Sequence, residues 1–197
     1  MTEDLRTRRI DPNSGLIERE ADRLAHALAP LGPVDPDAPE TIDLEFNENE
    51  IAEADSRLTG LGVTGRITTI APGAKISEKD WGIERWHHCL RDLLARFPDL
   101  ALLLIGGPDD RSRARDLQVS WPGPKLDLTG ELSPRQSAAV MRRAHVFLGG
   151  DGGPMHLAAA AGVRCVALFG AYNRPNEWHP LGPQHSVLHA DNLVVRI

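Results

Sequence analysis

The residues with the most chemistry in them crowd into one turn, Asp151-Gly152-Gly153-Pro154-Met155-His156. It holds a carboxylate, an imidazole and two glycines whose backbone can approach another molecule closely. The run Leu157-Ala158-Ala159-Ala160-Ala161-Gly162 behind it reads as a helix. Pro154 suits the start of that helix, because its missing N–H would be unpaired there in any case. A turn of this kind aims free backbone N–H groups and the positive end of a helix at one point, a setting for an anion such as phosphate. Asp151 has two roles open to it, a hydrogen bond to a ligand hydroxyl or a cap on the following helix. His156 either meets a ligand or satisfies a local hydrogen bond. Gly149 to Gly153 do not fit G-x-G-x-x-G, so this is not the dinucleotide fingerprint.

Other stretches carry weaker signals. Pro72–Asp80 holds Lys75 and Lys79 beside Trp81, and a lysine there is either a phosphate partner or a solvated loop cation. Gly106-Gly107-Pro108-Asp109-Asp110 ends an apolar run and opens a helix, where either aspartate also suits the helix dipole. Arg111, Arg113 and Arg115 lie among Asp109, Asp110 and Asp116 and read as a solvated, neutralised face. His87-His88-Cys89 invites a zinc reading, yet adjacent helical residues point in different directions and no spaced partner pair exists. No metal and no cofactor is expected, and no Ser-His-Asp constellation has support.

These residues need elements to position them. From Arg66 onward apolar runs and amphipathic stretches alternate: strands at 67–71, 100–105, 126–128, 145–148, 165–169 and 186–189, helices at 83–97, 111–120, 133–143 and after Pro154. Alternation of this type predicts an α/β fold, a doubly wound parallel sheet with helices on both faces. Ligands of such sheets bind beyond the carboxyl ends of the strands, so loops 72–80, 106–110, 129–133, 149–156 and 170–178 should converge on one crevice. Ahead of the sheet, periodicity predicts a helix from Ser14 to about residue 31, carrying Ile17, Ala21, Leu24 and Leu28 on one face. A Pro-rich acidic linker (32–40) and a short extended segment (41–44) follow. Asn47 then caps a second helix, with Glu50 placed for a capping box and Ile51, Ala54, Leu58 and Leu61 on its apolar face. The division expected is a helical extension over 1–65, loose over its first dozen residues, and a sheet domain over 66–197.

Composition narrows the function classes. A formal net charge of −6 argues against a general nucleic-acid or membrane-surface binder, leaving at most peripheral membrane contact. Cys89 and Cys165 alone make no disulfide framework. No apolar run reaches the roughly 18 residues of a spanning helix. Met1-Thr2-Glu3-Asp4 is no signal peptide, so a cytoplasmic protein is expected.

Taken in order, Pro72-Gly73-Ala74, Lys79-Asp80-Trp81, Leu104-Ile105-Gly106-Gly107-Pro108, Leu128-Thr129-Gly130, Asp151-Gly152-Gly153-Pro154-Met155-His156 and Ala167-Leu168-Phe169-Gly170 resemble the donor-binding half of glycosyltransferase family 9, the lipopolysaccharide heptosyltransferases. The resemblance covers about residues 66–190. It implies one Rossmann-like half of a GT-B fold that binds an ADP-heptose-like nucleotide-sugar, in an inverting, metal-independent enzyme of cell-surface polysaccharide or glycoconjugate synthesis. On that resemblance Lys79 faces the diphosphate or sugar, Asp110 the ribose, and Leu132 the adenine. Asp151, Gly152, Gly153 and His156 border the diphosphate and sugar, and Gly73, Ala74 and Met155 complete the expected site. No residue of this half is expected to be catalytic in the sense of a general base.

Three departures from the family pattern stand out. Gly152 replaces a usual Ser or Thr, and Asp110 replaces an acid one methylene longer. The acceptor domain with its general base, and the helix crossing back to it after Ile197, have no counterpart in the 197 residues. The chain alone is therefore expected to hold donor without completing transfer. A separate acceptor domain or self-association would complete it, with Trp81 and Trp178 expected at an apolar rim. The alternative is a non-catalytic nucleotide-binding or partner-docking module.

Overall fold

A computed structural model of the protein describes residues 8–62, 65–171 and 174–190. Residues 1–7 of the loose start expected over 1–12, and the stretch after 190, lie outside the described residues. Six strands form one sheet: β1 (Ile67–Ala71), β2 (Ala101–Leu104), β3 (Lys125–Asp127), β4 (Val146–Gly150), β5 (Cys165–Phe169) and β6 (Ser186–His189). Their order is β3-β2-β1-β4-β5-β6 and every pairing is parallel. β1 lies at the centre, with Ile70 opposite Leu104 on one side and Leu148 on the other. β1 and β2 are buried along their whole length, so β2 reads as an unbroken apolar run, while β1 buries Thr68 and Thr69 between its apolar residues.

Helices α1 (Glu20–Leu28), α2 (Pro39–Ile42), α3 (Glu48–Leu58), α4 (Ile83–Arg96), α5 (Arg111–Ser120), α6 (Pro134–Met141) and α7 (Gly153–Ala160) accompany the sheet. Leu102 and Leu104 pack with Trp86 and Leu90 of α4, Ala114 and Leu117 of α5, and Trp121. Ala101 and Leu103 turn the other way, into a cluster with Ala54 of α3, Val140 and Met141 of α6, and Met155 and Ala158 of α7. Two apolar layers therefore sandwich the sheet, and among the described residues no helix is long and apolar enough to cross a membrane.

Local chemistry explains where the helices begin. The Asn47 side chain accepts from the Glu50 N–H at 3.0 Å while the Glu50 carboxylate accepts from the Asn47 N–H at 2.9 Å. Ser133 and Gln136 repeat the device at α6. Each such cap contributes about 1 kcal/mol. Cross-helix contacts hold α3 against α6, among them Arg143 Nε to Asp55 at 2.6 Å and Gln136 Nε2 to Glu53 at 2.9 Å.

Two N-terminal expectations are corrected. α1 starts at Glu20 and not at Ser14. Asp11 accepts from the Asn13 N–H and the Ser14 hydroxyl, Gly15 takes φ +68°, and Ile10 pairs antiparallel with Ile17, so residues 10–17 make a small hairpin instead. Residues 39–42 form a helical turn where an extended segment was expected to begin at Thr41; the Thr41 hydroxyl bonds back to the Asp35 carbonyl at 2.8 Å. α1 itself buries no residue, leaving Leu24, Leu28 and the following Leu31 exposed.

Candidate functional site

The chain runs from β1 outward to β3, then returns to β4 and runs outward to β6, so the connection reverses between β1 and β4. The loops leaving those two strands flank the crevice where ligands of such sheets bind. Contacts bring the five expected loops together. Lys79 Nζ, from the 310 turn Ser77–Lys79, meets Asp151 Oδ2 at 2.5 Å. A Cβ on Gly170, after β5, would lie 2.8 Å from the Glu78 carbonyl, so the β1 loop rests directly on that glycine. Gly130, after β3, donates its N–H to the Gly106 carbonyl at 2.9 Å.

At the centre is the turn into α7. The Asp151 N–H is bonded to the Leu168 carbonyl, and the N–H groups of Met155 and His156 return to the Gly152 carbonyl. Among the described residues nothing accepts from the N–H groups of Gly152 and Gly153, and the α7 N-cap has no side-chain bond. Space is open there too: a Cβ on Gly153 would meet nothing within 4 Å. The Lys79 ammonium therefore meets this turn beside two backbone donors that no described residue engages. Lys79 keeps 23% of its side chain exposed while Asp151 keeps 8%, so the carboxylate is the fixed partner and the ammonium the accessible one.

The remaining candidates sort by depth. Asp110 lies between Gly73 and Gly106, where an added Cβ would come within 1.8 Å of Oδ1 and 2.6 Å of Oδ2 respectively. Its Oδ2 accepts from the Gly107 N–H at 2.8 Å, which leaves Oδ1 beside Gly73. Ala74 is exposed, and Leu132 is half-buried against the α6 side of the core. The Met155 side chain is fully buried, so it supports the turn from behind and offers no atom to the crevice. His156 stands 4.0 Å from Asp151, its ring edge-on to Trp178 with 6.5 Å between centroids. Burial lowers its pKa below the ordinary histidine value; Asp151 pulls upward against this, and Lys79 adds to the lowering.

Several sequence readings change. Arg111 and Arg115 are exposed as the solvated-face reading expected, but Arg113 is half-buried, and Arg111 and Arg113 both bond to the loops. Arg111 donates to the carbonyls of Thr129 and Gly130, and Arg113 to the Pro72 carbonyl and the Asp80 carboxylate. No spacing signal marks these contacts, because they join residues far apart in the chain. Trp81 turns inward, edge-on to Trp86 at 4.7 Å, and only Trp178 is exposed at the rim, under the Arg8 guanidinium. His87 and His88 bond to different partners, Ser120 and Arg91, as their divergence on a helix predicts.

The fold defines a doubly wound Rossmann-like α/β protein whose loops meet at its topological switch point. A family model for glycosyltransferase family 9 (heptosyltransferase) matches residues 1–194, and the chain belongs to that family. Lipopolysaccharide heptosyltransferase 3 of Escherichia coli is 27% identical over 111 residues, 56% of this chain and 33% of that protein. The crystal structure of a family 9 glycosyl transferase from Veillonella parvula superposes with a TM-score of 0.77 at 26% identity, over 93% of this chain and 51% of that one. E. coli heptosyltransferase WaaC, solved with ADP, gives 0.57 at 26% identity, over 71% and 42%. The chain thus spans between a third and about half of each relative's length.

Proposed function

We propose that the crevice is the donor site of an inverting, metal-independent glycosyl transfer and that it takes an ADP-sugar of the ADP-heptose type. The observation that carries this is the accessible Lys79 ammonium beside the open N–H groups of Gly152 and Gly153, at the switch point of the sheet. The ADP bound in WaaC supports the choice of nucleotide. Asp110 Oδ1 then accepts from the ribose hydroxyls, Leu132 borders the adenine, and Gly73 and Ala74 form the wall between them. His156 and Asp151 face the sugar side of the diphosphate, and Met155 holds the turn from the core.

In the transfer an acceptor hydroxyl attacks the anomeric carbon, the bond from that carbon to the β-phosphate oxygen breaks, and the electron pair leaves on ADP. Charge grows on the diphosphate as that bond breaks. The ammonium and the two N–H groups, already aimed at it, stabilise it without reorganising. The acceptor's proton goes to a base outside this half. We assign the chain to cell-surface glycoconjugate synthesis, lipopolysaccharide in the first instance, on the cytoplasmic side. Leu24, Leu28 and Leu31 form an exposed apolar stripe on the N-terminal extension, and it supports docking of an acceptor-binding partner or of a second copy.

Titration calorimetry with ADP, AMP and adenosine tests the donor site. ADP should bind most tightly, and no heat with ADP at millimolar concentration would overturn the proposal. Gly152, lacking the family's hydroxyl, favours a second reading: a nucleotide-binding or docking module without transfer. That reading predicts ADP binding with no sugar transferred, whatever acceptor domain is supplied, and measurable transfer would exclude it.

A further inference from the structure

Lys79 sits on a loop whose two ends are tied by one side chain. Arg113, half-buried in the first turn of α5, donates through Nη1 to the Pro72 carbonyl at 2.9 Å and through Nη2 to Asp80 Oδ2 at 2.6 Å. Pro72 is the first residue after β1, and Asp80 directly follows Lys79. Asp80 Oδ1 accepts from the N–H of Gly82, which opens α4 at φ +86°. One guanidinium therefore joins the start of the loop, its end and the entry to the next helix. Within the loop, the N–H groups of Lys79 and Asp80 bond back to the carbonyls of Ile76 and Ser77, and the Ser77 hydroxyl donates to Glu78.

We propose that Arg113 is a positioning residue for Lys79, fixing where its ammonium stands over the α7 turn; this rests on the donor-site reading above. The side chain chemistry suits the task. A planar guanidinium can serve a carbonyl and a carboxylate at once, whereas a lysine there would be a point charge able to hold Asp80 and not both ends. Lys79 carries four rotatable methylenes, so its useful placement depends on a fixed Cα. Gly170 fixes the turn from one side by contact with the Glu78 carbonyl, and Arg113 closes it from the other. Arg111 is the internal contrast. It binds only carbonyls of the β3 loop, Thr129 and Gly130, so its removal should leave Lys79 in place.

The test is a binding cycle joined to amide exchange, using Arg113→Met, Lys79→Met and the double variant. In Arg113→Met the ligand-free protein should exchange the Lys79 and Asp80 amides about tenfold faster, with β1 amides unchanged. Its ADP affinity should fall about five- to tenfold while adenosine affinity holds, because only the diphosphate senses the ammonium. In the Lys79→Met background the same substitution should change ADP affinity by less than about twofold, since a residue acting through Lys79 has nothing left to act on. Equal losses for ADP and adenosine, or an undiminished loss in the Lys79→Met background, would show a general structural role and overturn the proposal. Unchanged loop exchange would overturn it as well. A wild-type protein that binds no nucleotide would overturn the donor site itself, while the exchange measurement would still decide whether Arg113 holds the loop.

Discussion

Replacing Gly152 with Ser should make the protein both more stable and a better ADP binder. Gly152 is the N-cap of α7 at φ −176° and ψ 176°, extended backbone open to any residue. A Cβ there would lie 3.8 Å from Pro154 Cδ, an ordinary van der Waals contact, so serine enters without displacing anything. Pro154 has no N–H, so the nearest helical donor to the new hydroxyl is Met155, whose N–H now reaches back to the Gly152 carbonyl at 3.1 Å. A serine Oγ accepts from that N–H in the usual N-cap manner, worth a few tenths of a kcal/mol over glycine. Loss of glycine's freedom in the unfolded chain adds about 0.4–1 kcal/mol. Together these shift Tm by about 1–5 °C for a domain of this size. The same hydroxyl keeps its proton, and that proton can be donated to a phosphate oxygen. One more hydrogen bond of about 0.5–1.5 kcal/mol tightens ADP by about two- to twelvefold. Calorimetry with ADP and adenosine beside a thermal melt reads both effects, with Gly152→Ala as the variant that adds a methyl and no hydroxyl. A raised Tm with unchanged ADP affinity, or adenosine tightening as much as ADP, would show that the turn does not face phosphate.

Lys79→Met removes the accessible cation and leaves the Asp151 carboxylate, 8% exposed, against a thioether. ADP affinity should fall about tenfold or more with adenosine unaffected, and urea unfolding should show a loss of about 1–3 kcal/mol. Gly170→Ala drives a methyl to 2.8 Å from the Glu78 carbonyl and must shift the turn carrying Lys79, whereas Gly153→Ala meets open space. The first should therefore weaken ADP binding and lower Tm, and the second should leave stability unchanged or raise it by up to about 1 kcal/mol; the reverse order would refute the packing described. For His156 the sign is fixed by its lowered pKa in the free protein. Burial makes the folded state the poorer proton binder, so stability is full above the unfolded value of about 6.5 and falls as pH drops through the folded one. A bound diphosphate favours the imidazolium, so ADP binding should take up a proton and gain affinity from pH 7.5 toward 6 by more than in His156→Gln. Identical pH profiles for the two proteins would place His156 away from the ligand.

Most of the sheet was legible because buried parallel strands announce themselves as short runs of apolar and β-branched residues followed closely by Gly or Pro, as at Ala101–Leu104 and Ile67–Ala71. Asn47 and Glu50 were equally plain, since a capping box is a contact between residues three apart. What escaped was long-range polar contact. Arg113 bonds to Pro72 across 41 residues and Arg111 to Thr129 across 18, and no periodicity records such pairs. Their acidic neighbours in sequence gave each arginine a local excuse to be in solvent. The glycines show the same limit from the other side. By type alone, Gly73, Gly106, Gly152, Gly153 and Gly170 all look like places where a phosphate might press against backbone. In the fold Gly73 and Gly106 make room for Asp110 and Gly170 for Glu78, contacts of the protein with itself, while a Cβ on Gly152 would meet Pro154 Cδ of the same turn at 3.8 Å and one on Gly153 would meet nothing within 4 Å. Neither of those last two is pressed by another loop. The crevice is thus framed by glycines that let the loops touch one another, and the backbone left unpressed is at the start of α7, with Lys79 beside it.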